Sequence, residues 1–297
     1  MAEYKNIVFI YNPHSGKEQI KTYLYDIMQE FRKFDADIVV RPTVRRLDAY
    51  DYIKENAHRY DLVIVSGGDG TLNETVKAMM ELGENKKPIA YIPSGTTNDF
   101  ARTLGINGRM DAVAKMIVEG EPRLIDVGSF GDTYFTYIAA VGAFTKVSYA
   151  TPQSAKNIFG HQAYMIEAVK SLTDIKPMFL RIKTEHGMVE GDFIYGMISN
   201  SESVGGFKGF TGKYVSINDG IFEITFVRYP NNPAQFQSML TALLTQNYSS
   251  DMLYYDHINS VSVESDKEIP WVLDGEFGGD RQKVDISVVP NALEIVF

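Results

Sequence analysis

Asp69, in a glycine-rich turn, is the residue whose sequence surroundings most clearly suggest a chemical role. The turn reads Ser66-Gly67-Gly68-Asp69-Gly70-Thr71 and directly follows the apolar run 62–65. A short, continuous apolar run is typical of a strand buried on both faces of a parallel sheet. After the turn, apolar residues recur at helical spacing, at Leu72, Val76 and Met79. We therefore predict a strand, a tight turn and a helix over residues 71–82.

The residue types in this turn indicate a phosphate site. Glycines let a ligand approach the backbone closely because they have no Cβ, and the first N–H groups of a helix attract anions. A carboxylate beside a phosphate is repulsive unless a cation such as Mg²⁺ lies between them. Asp69 therefore predicts a phosphate site that also holds a metal ion. The alternative is that Asp69 only caps the helix.

Two more polar loops with glycine follow apolar strand patterns. Residues 7–11 lead into Asn12-Pro13-His14-Ser15-Gly16-Lys17, and residues 89–92 lead into Pro93-Ser94-Gly95-Thr96-Thr97-Asn98-Asp99. A helical pattern follows each loop, and Asn98 or Asp99 is well placed to be the N-cap of the second helix. Loops at the carboxyl ends of parallel strands meet at one edge of the sheet, where open α/β sheets bind ligands. The three loops are therefore expected to form one site.

The composition is that of an ordinary folded protein. The chain has 297 residues, with 44% hydrophobic and 23% charged residues, enough for one large or two medium domains. A net charge of −9 without a basic run argues against a nucleic-acid partner. The absence of cysteine excludes disulfides and fits a cytoplasmic protein. No stretch reaches the roughly 20 apolar residues that span a bilayer, so a lipid substrate would be reached by peripheral contact.

Beyond Arg123 the pattern changes to many short strands separated by Gly, Asn or Asp turns. This pattern favours an antiparallel β-sandwich. We therefore predict an α/β domain with a parallel, Rossmann-like sheet over residues 1–122 and a mainly antiparallel β-sandwich domain over residues 123–297. The last residues still have a strand pattern, which allows the chain to return toward the first domain. The strands predicted in the second domain are 133–141, 179–183, 187–199, 220–227, 258–264, 284–289 and 292–296, with helices over about 153–172 and 233–245.

The loops resemble the motifs of one kinase superfamily. Gly-Gly-Asp-Gly-Thr-x-Asn-Glu, at residues 67–74, is similar to the motif of diacylglycerol and sphingosine kinases and, more distantly, of NAD kinases and 6-phosphofructokinases. Asn-Pro-x-Ser-Gly-Lys, at residues 12–17, resembles the first motif of the lipid kinases. Pro-x-Gly-Thr-x-Asn-Asp-Phe-Ala-Arg, at residues 93–102, resembles a motif of bacterial diacylglycerol kinase-like lipid kinases that the other two kinase groups do not share. The resemblance is therefore closest to the bacterial diacylglycerol kinase-like family.

This resemblance implies an ATP- and Mg²⁺-dependent lipid kinase, with diacylglycerol as the first choice of acceptor. It assigns Asp69, together with Asp99, to the Mg²⁺ that accompanies the nucleotide, and counts Asp69 as catalytic. It assigns the role of catalytic base to Glu276, although Asp274-Gly275-Glu276 by composition alone is a turn with surface carboxylates. The residues assigned to ATP are Asn12, Pro13, His14, Ser15, Gly16, Thr43, Gly67, Gly68, Asp69, Gly70, Thr71, Leu72, Asn73, Glu74, Gly95, Thr96, Asn98 and Asp99.

A second, structural Mg²⁺ site is implied in the C-terminal domain. It would use the Asp219 carboxylate and the backbone carbonyls of Ser216 and Ile221. A neighbouring acidic position of the family is Asn218 here, and Asp219-Gly220 alone predicts a hairpin turn, so both interpretations stay open. Asp126 is predicted to lie either near the metal or at the domain junction as a hydrogen-bond acceptor.

Several alternatives stay open at this point. Arg41, Arg45 and Arg46 either surround a solvated helix start or steer phosphate, and Phe207 and Phe210 either face the lipid or pack in the core. A soluble-substrate kinase of the NAD kinase type and a non-catalytic nucleotide-binding regulator are the alternative functions. The acceptor lipid and the assembly state, with a homodimer as one option, are not determined by the sequence. The expected location is the cytoplasm, with transient contact at the inner face of the membrane.

Overall fold

The computed structural model describes residues 4–143, 176–201, 203–204, 207–208 and 216–297. The predicted helix over 153–172 and the Phe210 side chain lie outside these residues, as does the Phe207 side chain. Within the described part, no helix combines the length and the apolar character needed to cross a membrane.

The N-terminal half contains four parallel strands. They are β1 (Asn6–Tyr11), β2 (Asp37–Pro42), β3 (Leu62–Gly67) and β4 (Ile89–Pro93). Their order in the sheet is β2-β1-β3-β4, and every neighbouring pair is parallel. All six residues of β3 are buried, as its continuous apolar run predicts.

Three α-helices connect these strands, and two more follow β4. They are α1 (Ile20–Phe31), α2 (Asp48–Asn56), α3 (Asp69–Glu81), α4 (Asp99–Thr103) and α5 (Met110–Glu119). Residues at helical spacing face the core, for example Ile20, Ile27 and Phe31 in α1. Helix α3 begins at Asp69 and not at the predicted Thr71, so Asp69 belongs to the first turn of the helix.

The C-terminal half is built mainly from antiparallel strands and one described long helix, α6 (Pro233–Thr245). The predicted strand over 133–141 is two strands, because the chain bends at Thr136 and Tyr137. The predicted strands 284–289 and 292–296 belong to one long strand, which has a bulge between Val289 and Leu293. The strands are β5 (Pro122–Phe130), β6 (Thr133–Phe135), β7 (Ile138–Gly142), β8 (Met178–Thr184), β9 (Gly187–Ser199), β10 (Ser203–Val204), β11 (Phe207–Lys208), β12 (Phe222–Arg228), β13 (Leu253–Ile258), β14 (Ser260–Leu273) and β15 (Glu276–Val296).

The sheet topology corrects the prediction of a parallel sheet in one domain and a β-sandwich in another. Thirteen strands form one connected sheet, in which the parallel strands occupy one end and most of the other pairs are antiparallel. The long strand β15 joins the two parts, because it pairs antiparallel with β14 and β5 while its end, at Ile295 and Val296, pairs in parallel with β4. Strands β7, β9, β8 and β14 close into a ring of antiparallel pairs. The predicted sandwich is therefore a bent sheet that closes on itself in part.

Two main hydrophobic cores stabilise this arrangement. One surrounds the parallel strands and includes the end of β15. The other lies inside the antiparallel strands, where the Trp271 and Phe130 rings pack edge to face with centroids 5.2 Å apart. The segments of the candidate site lie where β5, β7, β9 and the β14–β15 turn meet the loops of the parallel strands.

Candidate active site

The three polar loops converge, as expected for the carboxyl ends of parallel strands. The Asn12 N–H donates to the Ser66 carbonyl at 2.8 Å, and the Ser94 N–H donates to the Gly67 carbonyl at 2.8 Å. Gly16 has a φ of +56°, and a Cβ on it would lie 2.2 Å from the Ser94 oxygen. A glycine is therefore required where the first loop contacts the third.

In the first loop, most of the backbone donors are used within the protein. The His14 N–H donates to Asn12 Oδ1 at 2.9 Å, and the Ser15 N–H donates to the Asn12 carbonyl at 3.3 Å. Pro13 has no N–H, and Asn12 donates to Ser66 as described. These N–H groups are engaged within the protein, and the assignment of residues 12–16 to ATP stays a prediction. The loop shapes the site by supporting the glycines opposite it. His14 is exposed and lies 3.2 Å from Glu18 Oε1.

The start of α3 is better suited to a phosphate. Gly68 is its N-cap, and no described side chain caps the helix. The N–H groups of Asp69, Gly70 and Thr71 are the first of this helix, where the dipole favours an anion. Because Gly68 is the N-cap, the alternative that Asp69 only caps the helix is wrong.

Asp69 is partly buried at this helix start and has an unusual environment. The Thr97 hydroxyl donates to its Oδ2 at 3.1 Å, whereas its Oδ1 is buried and has no hydrogen-bond partner in the described part of the chain. Burial raises the pKa of Asp69 to about 6, and the nearby Asp99 and Asp274 carboxylates add to the rise, whereas hydrogen bonds from the Thr97 hydroxyl and the Phe100 backbone oppose it. Asp99 itself is 2% exposed. A partly unsatisfied carboxylate among other carboxylates favours a cation at this position.

The third loop turns at Asn98, which has a φ of +50°. Asn98 occupies the N-cap position of α4, but its side chain does not cap that helix. Its Oδ1 accepts from the Gly95 N–H at 2.9 Å and its Nδ2 donates to the Gly95 carbonyl at 3.0 Å. The prediction of an N-cap at Asn98 or Asp99 is confirmed for the position of Asn98. Its side chain bonds Gly95 instead of the helix and fixes Gly95 against Gly68, where a Cβ on Gly95 would lie 2.6 Å from the Gly68 Cα.

Asp274 is a buried residue of the site whose role the sequence did not reveal. Its Oδ2 accepts from the Thr136 N–H at 2.6 Å and from Asn73 Nδ2 at 2.7 Å, and its Oδ1 accepts from the N–H groups of Tyr137 at 2.9 Å and Ile138 at 3.1 Å. It is 3% exposed, so the interpretation of Asp274-Gly275-Glu276 as a turn with surface carboxylates does not hold for Asp274. Asp274 joins the β14–β15 turn to the start of β7 and to α3. The sequence feature that could have indicated this role is the apolar strand pattern directly before Asp274.

Three residues of the glycine motif assigned to ATP have their groups engaged within the protein. Leu72 is 1% exposed, and its N–H donates to the Gly68 carbonyl. The Asn73 side chain binds Asp274, and Glu74 Oε1 accepts from the Leu47 N–H at 2.8 Å. In the structure these residues contact neighbouring elements, and their assignment to ATP stays a prediction.

Glu276 lies beside Gly70 at the start of α3. Its Oε1 is 3.5 Å from the position of a Cβ on Gly70. Its Oε2 accepts from Arg46 Nη2 at 2.8 Å, and both side chains are exposed. This arrangement brings residues from the two ends of the chain to one place. Of the three arginines, Arg41 binds Asp48 and Arg45 binds Asp51, so Arg46 is the one that reaches the site.

The remaining predicted residues lie at the rim of the site. Thr43 is partly buried directly after β2, and its N–H donates to the Tyr11 carbonyl at 2.8 Å. Thr96 is exposed in the third loop. Both are close in sequence to residues that contact the other loops.

Asp126 and the predicted structural metal loop lie away from this cluster. Asp126 is fully buried and accepts from the N–H groups of Gly220 and Asn291, both at 2.7 Å. Its own N–H donates to the Ile217 carbonyl at 2.7 Å. Asp126 is therefore a hydrogen-bond acceptor that connects β5 to the 216–221 loop and to the bulge of β15. In that loop Asp219 is exposed, and its Oδ1 accepts from the Ile221 N–H at 3.1 Å.

Within the described residues, no three His, Asp or Glu side chains are arranged to hold a metal by themselves. A Mg²⁺ that binds together with a nucleotide typically uses one or two carboxylates, several waters and the phosphates of the substrate. The buried, unpartnered Oδ1 of Asp69 is an oxygen that such an ion would satisfy. The residues present at the start of α3 therefore fit a metal–nucleotide complex.

Comparison with known proteins agrees with this geometry. The family profile described as the diacylglycerol kinase catalytic domain matches residues 6–130. A diacylglycerol kinase of Bacillus subtilis (strain 168) is 33% identical over 93% of this chain and 91% of its own length. A diacylglycerol kinase of Staphylococcus aureus (strain MRSA252) is 32% identical over 93% of this chain and 87% of its own.

Solved structures show the same fold. The crystal structure of a diacylglycerol kinase from Bacillus anthracis strain Sterne matches 100% of this chain and 98% of its own, with a TM-score of 0.78 at 22% identity. Another structure from the same organism gives a TM-score of 0.84 at 24% identity, covering 100% of this chain and 96% of its own. The resemblance seen in the sequence is thereby confirmed: this chain belongs to the diacylglycerol kinase family and is a phosphotransferase that acts on an alcohol.

Proposed function

We propose that this protein transfers the γ-phosphoryl group of ATP to the hydroxyl group of a lipid, and that diacylglycerol is the acceptor, giving phosphatidic acid. The observation that carries this proposal is the convergence of three glycine loops around the unsatisfied carboxylate of Asp69. The names of the relatives, at 33% and 32% identity over most of the chain, support the choice of acceptor.

In this proposal, residues 1–122 form a nucleotide-binding domain of the Rossmann type, and residues 123–297 supply the acceptor side. The uncapped start of α3, at Gly68 to Thr71, receives the phosphates. Gly16, Gly95 and Asn98 position the backbone of the first and third loops beside this helix start, so that the phosphates can approach it.

Asp69, with Asp99 nearby, would hold Mg²⁺ on the nucleotide. When bound, the ion neutralises charge on the phosphates and orients the transferring group. Asp69 must be ionised to do this, and its raised pKa of about 6 still leaves most molecules ionised at pH 7.5. The Thr97 hydroxyl orients the carboxylate through its hydrogen bond to Oδ2.

Glu276 is proposed as the base that accepts the proton of the acceptor hydroxyl. It lies on the C-terminal side of the cleft, next to Gly70 at the start of α3. Asp274 fixes the turn before it through four hydrogen bonds. Arg46 pairs with Glu276 in an exposed ion pair, which is a weak interaction that an entering phosphate can replace.

The acceptor is a membrane component, so we propose that the protein works in the cytoplasm and contacts the inner face of the membrane transiently. The net charge of −9 means that this contact is local and not a general attraction to anionic lipid.

The test is incubation of the purified protein with γ-labelled ATP and a panel of acceptors in mixed micelles, with and without Mg²⁺. We expect label in phosphatidic acid when diacylglycerol and Mg²⁺ are both present. Labelling of a dissolved acceptor without micelles would favour a soluble-substrate kinase. ATP binding without transfer to any acceptor would favour a non-catalytic regulator.

A further inference from the structure

A buried asparagine at the edge of the candidate site has unpaired polar atoms. Asn200 directly follows β9 and is 0% exposed. Within the described part of the chain, neither Nδ2 nor Oδ1 of its side chain has a hydrogen-bond partner. An asparagine amide offers two N–H donors and two acceptor positions. Burial of such a group without partners is costly, and it requires an explanation.

The main chain around Asn200 is held firmly. Its N–H donates to the Tyr137 carbonyl at 3.0 Å, and the Ser199 hydroxyl donates to the same carbonyl at 3.1 Å. On the other side, the Ser201 hydroxyl is 2.6 Å from Thr103 Oγ1 in α4. The main chain that carries the unpaired amide is therefore fixed where β7, β9 and α4 meet.

This position borders the carboxylates of the site. Tyr137, which receives the Asn200 N–H, donates its own N–H to Asp274 Oδ1 at 2.9 Å. Thr136, the preceding residue, is 1% exposed, and its Oγ1 likewise has no partner among the described residues. Helix α4, which contacts Ser201, begins at Asp99. Unpaired neutral groups therefore lie directly beside the segments that carry Asp99 and Asp274.

We propose that Asn200 is a specificity-determining residue that hydrogen-bonds the uncharged head of the acceptor lipid, at its hydroxyl or at an ester oxygen. This inference rests on the proposed function. An amide both donates and accepts, so it matches a hydroxyl, and its Nδ2 matches an ester carbonyl. The amide carries no positive charge that would offset a phosphate in the head group. The chemistry therefore selects a neutral glycerolipid with a free hydroxyl over a lipid that carries a phosphate.

The test compares wild type with Asn200→Leu, whose side chain has nearly the same shape but no polar atoms. The acceptors are 1,2-dioctanoylglycerol and dioctanoyl phosphatidylglycerol, and the exposed Asn107→Leu is the matched control. Melting temperature and the KM values for acceptor and ATP are measured for each protein. Because Asn200 has no partner to lose, N200L should melt at or above the wild-type temperature.

We expect N200L to raise the KM for dioctanoylglycerol about 5- to 150-fold, the range for leaving one buried polar group unpaired, with the ATP KM unchanged. Asn107→Leu should change neither KM, and wild type should prefer dioctanoylglycerol to dioctanoyl phosphatidylglycerol. A lower melting temperature for folded N200L, or an unchanged acceptor KM, would overturn the proposal, because the amide would then be structural or idle. So would a wild-type preference for the anionic lipid.

Asn200→Ser, which is smaller and keeps one hydroxyl, decides the question if N200L does not fold. The proposal then requires a raised acceptor KM at an unchanged ATP KM, and equal KM values for the Ser variant and wild type would refute it. Wild-type turnover of dioctanoylglycerol is measured first. Its absence would refute the proposed function, whereas normal wild-type turnover with unaffected variants refutes only the role of Asn200.

Discussion

At the residue scale, the site depends on carboxylates that the fold keeps in costly positions. Asp69 is the clearest case, because one of its oxygens is buried and unpaired and the Asp99 and Asp274 carboxylates are near. A group that destabilises the free protein and is satisfied by a ligand is expected at a functional site. This cost can be measured without any activity assay.

The stability of the metal-free protein should depend on the ionisation of Asp69. Its pKa rises from 3.8 to about 6 on folding, so the native state binds more protons than the unfolded state between these values. Stability therefore falls as the pH rises from about 4 to 6 and then stays lower, by roughly 3 kcal/mol from this group. Asp69→Asn removes the effect. In EDTA, the variant should be more stable than wild type at pH 7.5, and the difference should disappear below pH 4.

Urea unfolding at several pH values measures this difference. Thr97→Val, which removes the hydroxyl that opposes the rise in pKa, should destabilise the protein further at pH 7.5. Equal pH dependence of wild type and Asp69→Asn would contradict the account of Asp69.

Glu276 allows a direct test of the proposed base. Glu276→Gln keeps the size and hydrogen-bonding ability of the side chain but cannot accept the proton. Turnover should fall about 10²- to 10⁴-fold, the usual contribution of a positioned general base, with ATP binding unchanged. Arg46→Ala is the control, since it removes the ion-pair partner but leaves the carboxylate, and should reduce turnover less than tenfold. Near-normal turnover of the Gln variant would leave the β14–β15 turn without a catalytic role.

At the element scale, short segments with tight turns position most of the residues of the candidate site. The sequence predicted these turns well, because glycines and polar residues after apolar runs have local causes. It could not predict which polar side chains turn inward. Asn73 and Asp274 are 201 positions apart in the sequence, yet their side chains form a hydrogen bond of 2.7 Å. No local pattern contains such a contact.

Asp274 should be essential for the stability of its turn. Asp274→Ala would leave three backbone N–H groups and the Asn73 amide without their acceptor. Each buried donor left unpaired costs about 1–3 kcal/mol, so the free energy of unfolding should fall by at least about 3 kcal/mol. Asp280→Ala, at an exposed position in β15, should cost less than about 0.5 kcal/mol. Similar urea midpoints for the two variants would show that the Asp274 hydrogen bonds do not matter.

The loop over residues 216–221 gives a test of the second metal site. If Asp219 and the carbonyls of Ser216 and Ile221 bind Mg²⁺, the ion should raise the melting temperature of wild type without nucleotide. Asp219→Ala should abolish this shift, whereas Asp69→Asn should keep it. Equal Mg²⁺-induced shifts for wild type and Asp219→Ala would leave the 216–221 loop as a simple turn fixed by Asp126.

At the scale of the whole molecule, the two halves are connected more closely than the sequence suggested. The pattern of residues changes near Arg123, and so does the strand pairing, because parallel strands precede this position and most later pairs are antiparallel. The sequence could not show that β15 crosses between the halves and pairs with β4, because a strand pattern does not name its partner. This crossing strand begins at Glu276 and ends beside β4, so one sheet connects the β14–β15 turn to the parallel strands that carry the three glycine loops.

The spacing of apolar residues along the sequence explains which strands and helices were predicted correctly and which were not. It identified strands such as β9 and helices such as α6 with their observed bounds, because one face of each is buried. It divided β15 into two strands at Pro290 and Asn291. There the bulge breaks the alternation while the strand continues, and the Asn291 N–H binds Asp126.

The most direct test of the whole account is the turnover of Asp69→Asn with Mg²⁺, γ-labelled ATP and diacylglycerol in mixed micelles. Loss of the carboxylate that holds the metal should remove several kcal/mol of transition-state stabilisation, and each ~1.4 kcal/mol is tenfold in rate. We predict that turnover falls on the order of a thousandfold while the variant remains folded. A folded Asp69→Asn protein with turnover within tenfold of wild type would contradict the central claim that Asp69 holds the metal for phosphoryl transfer.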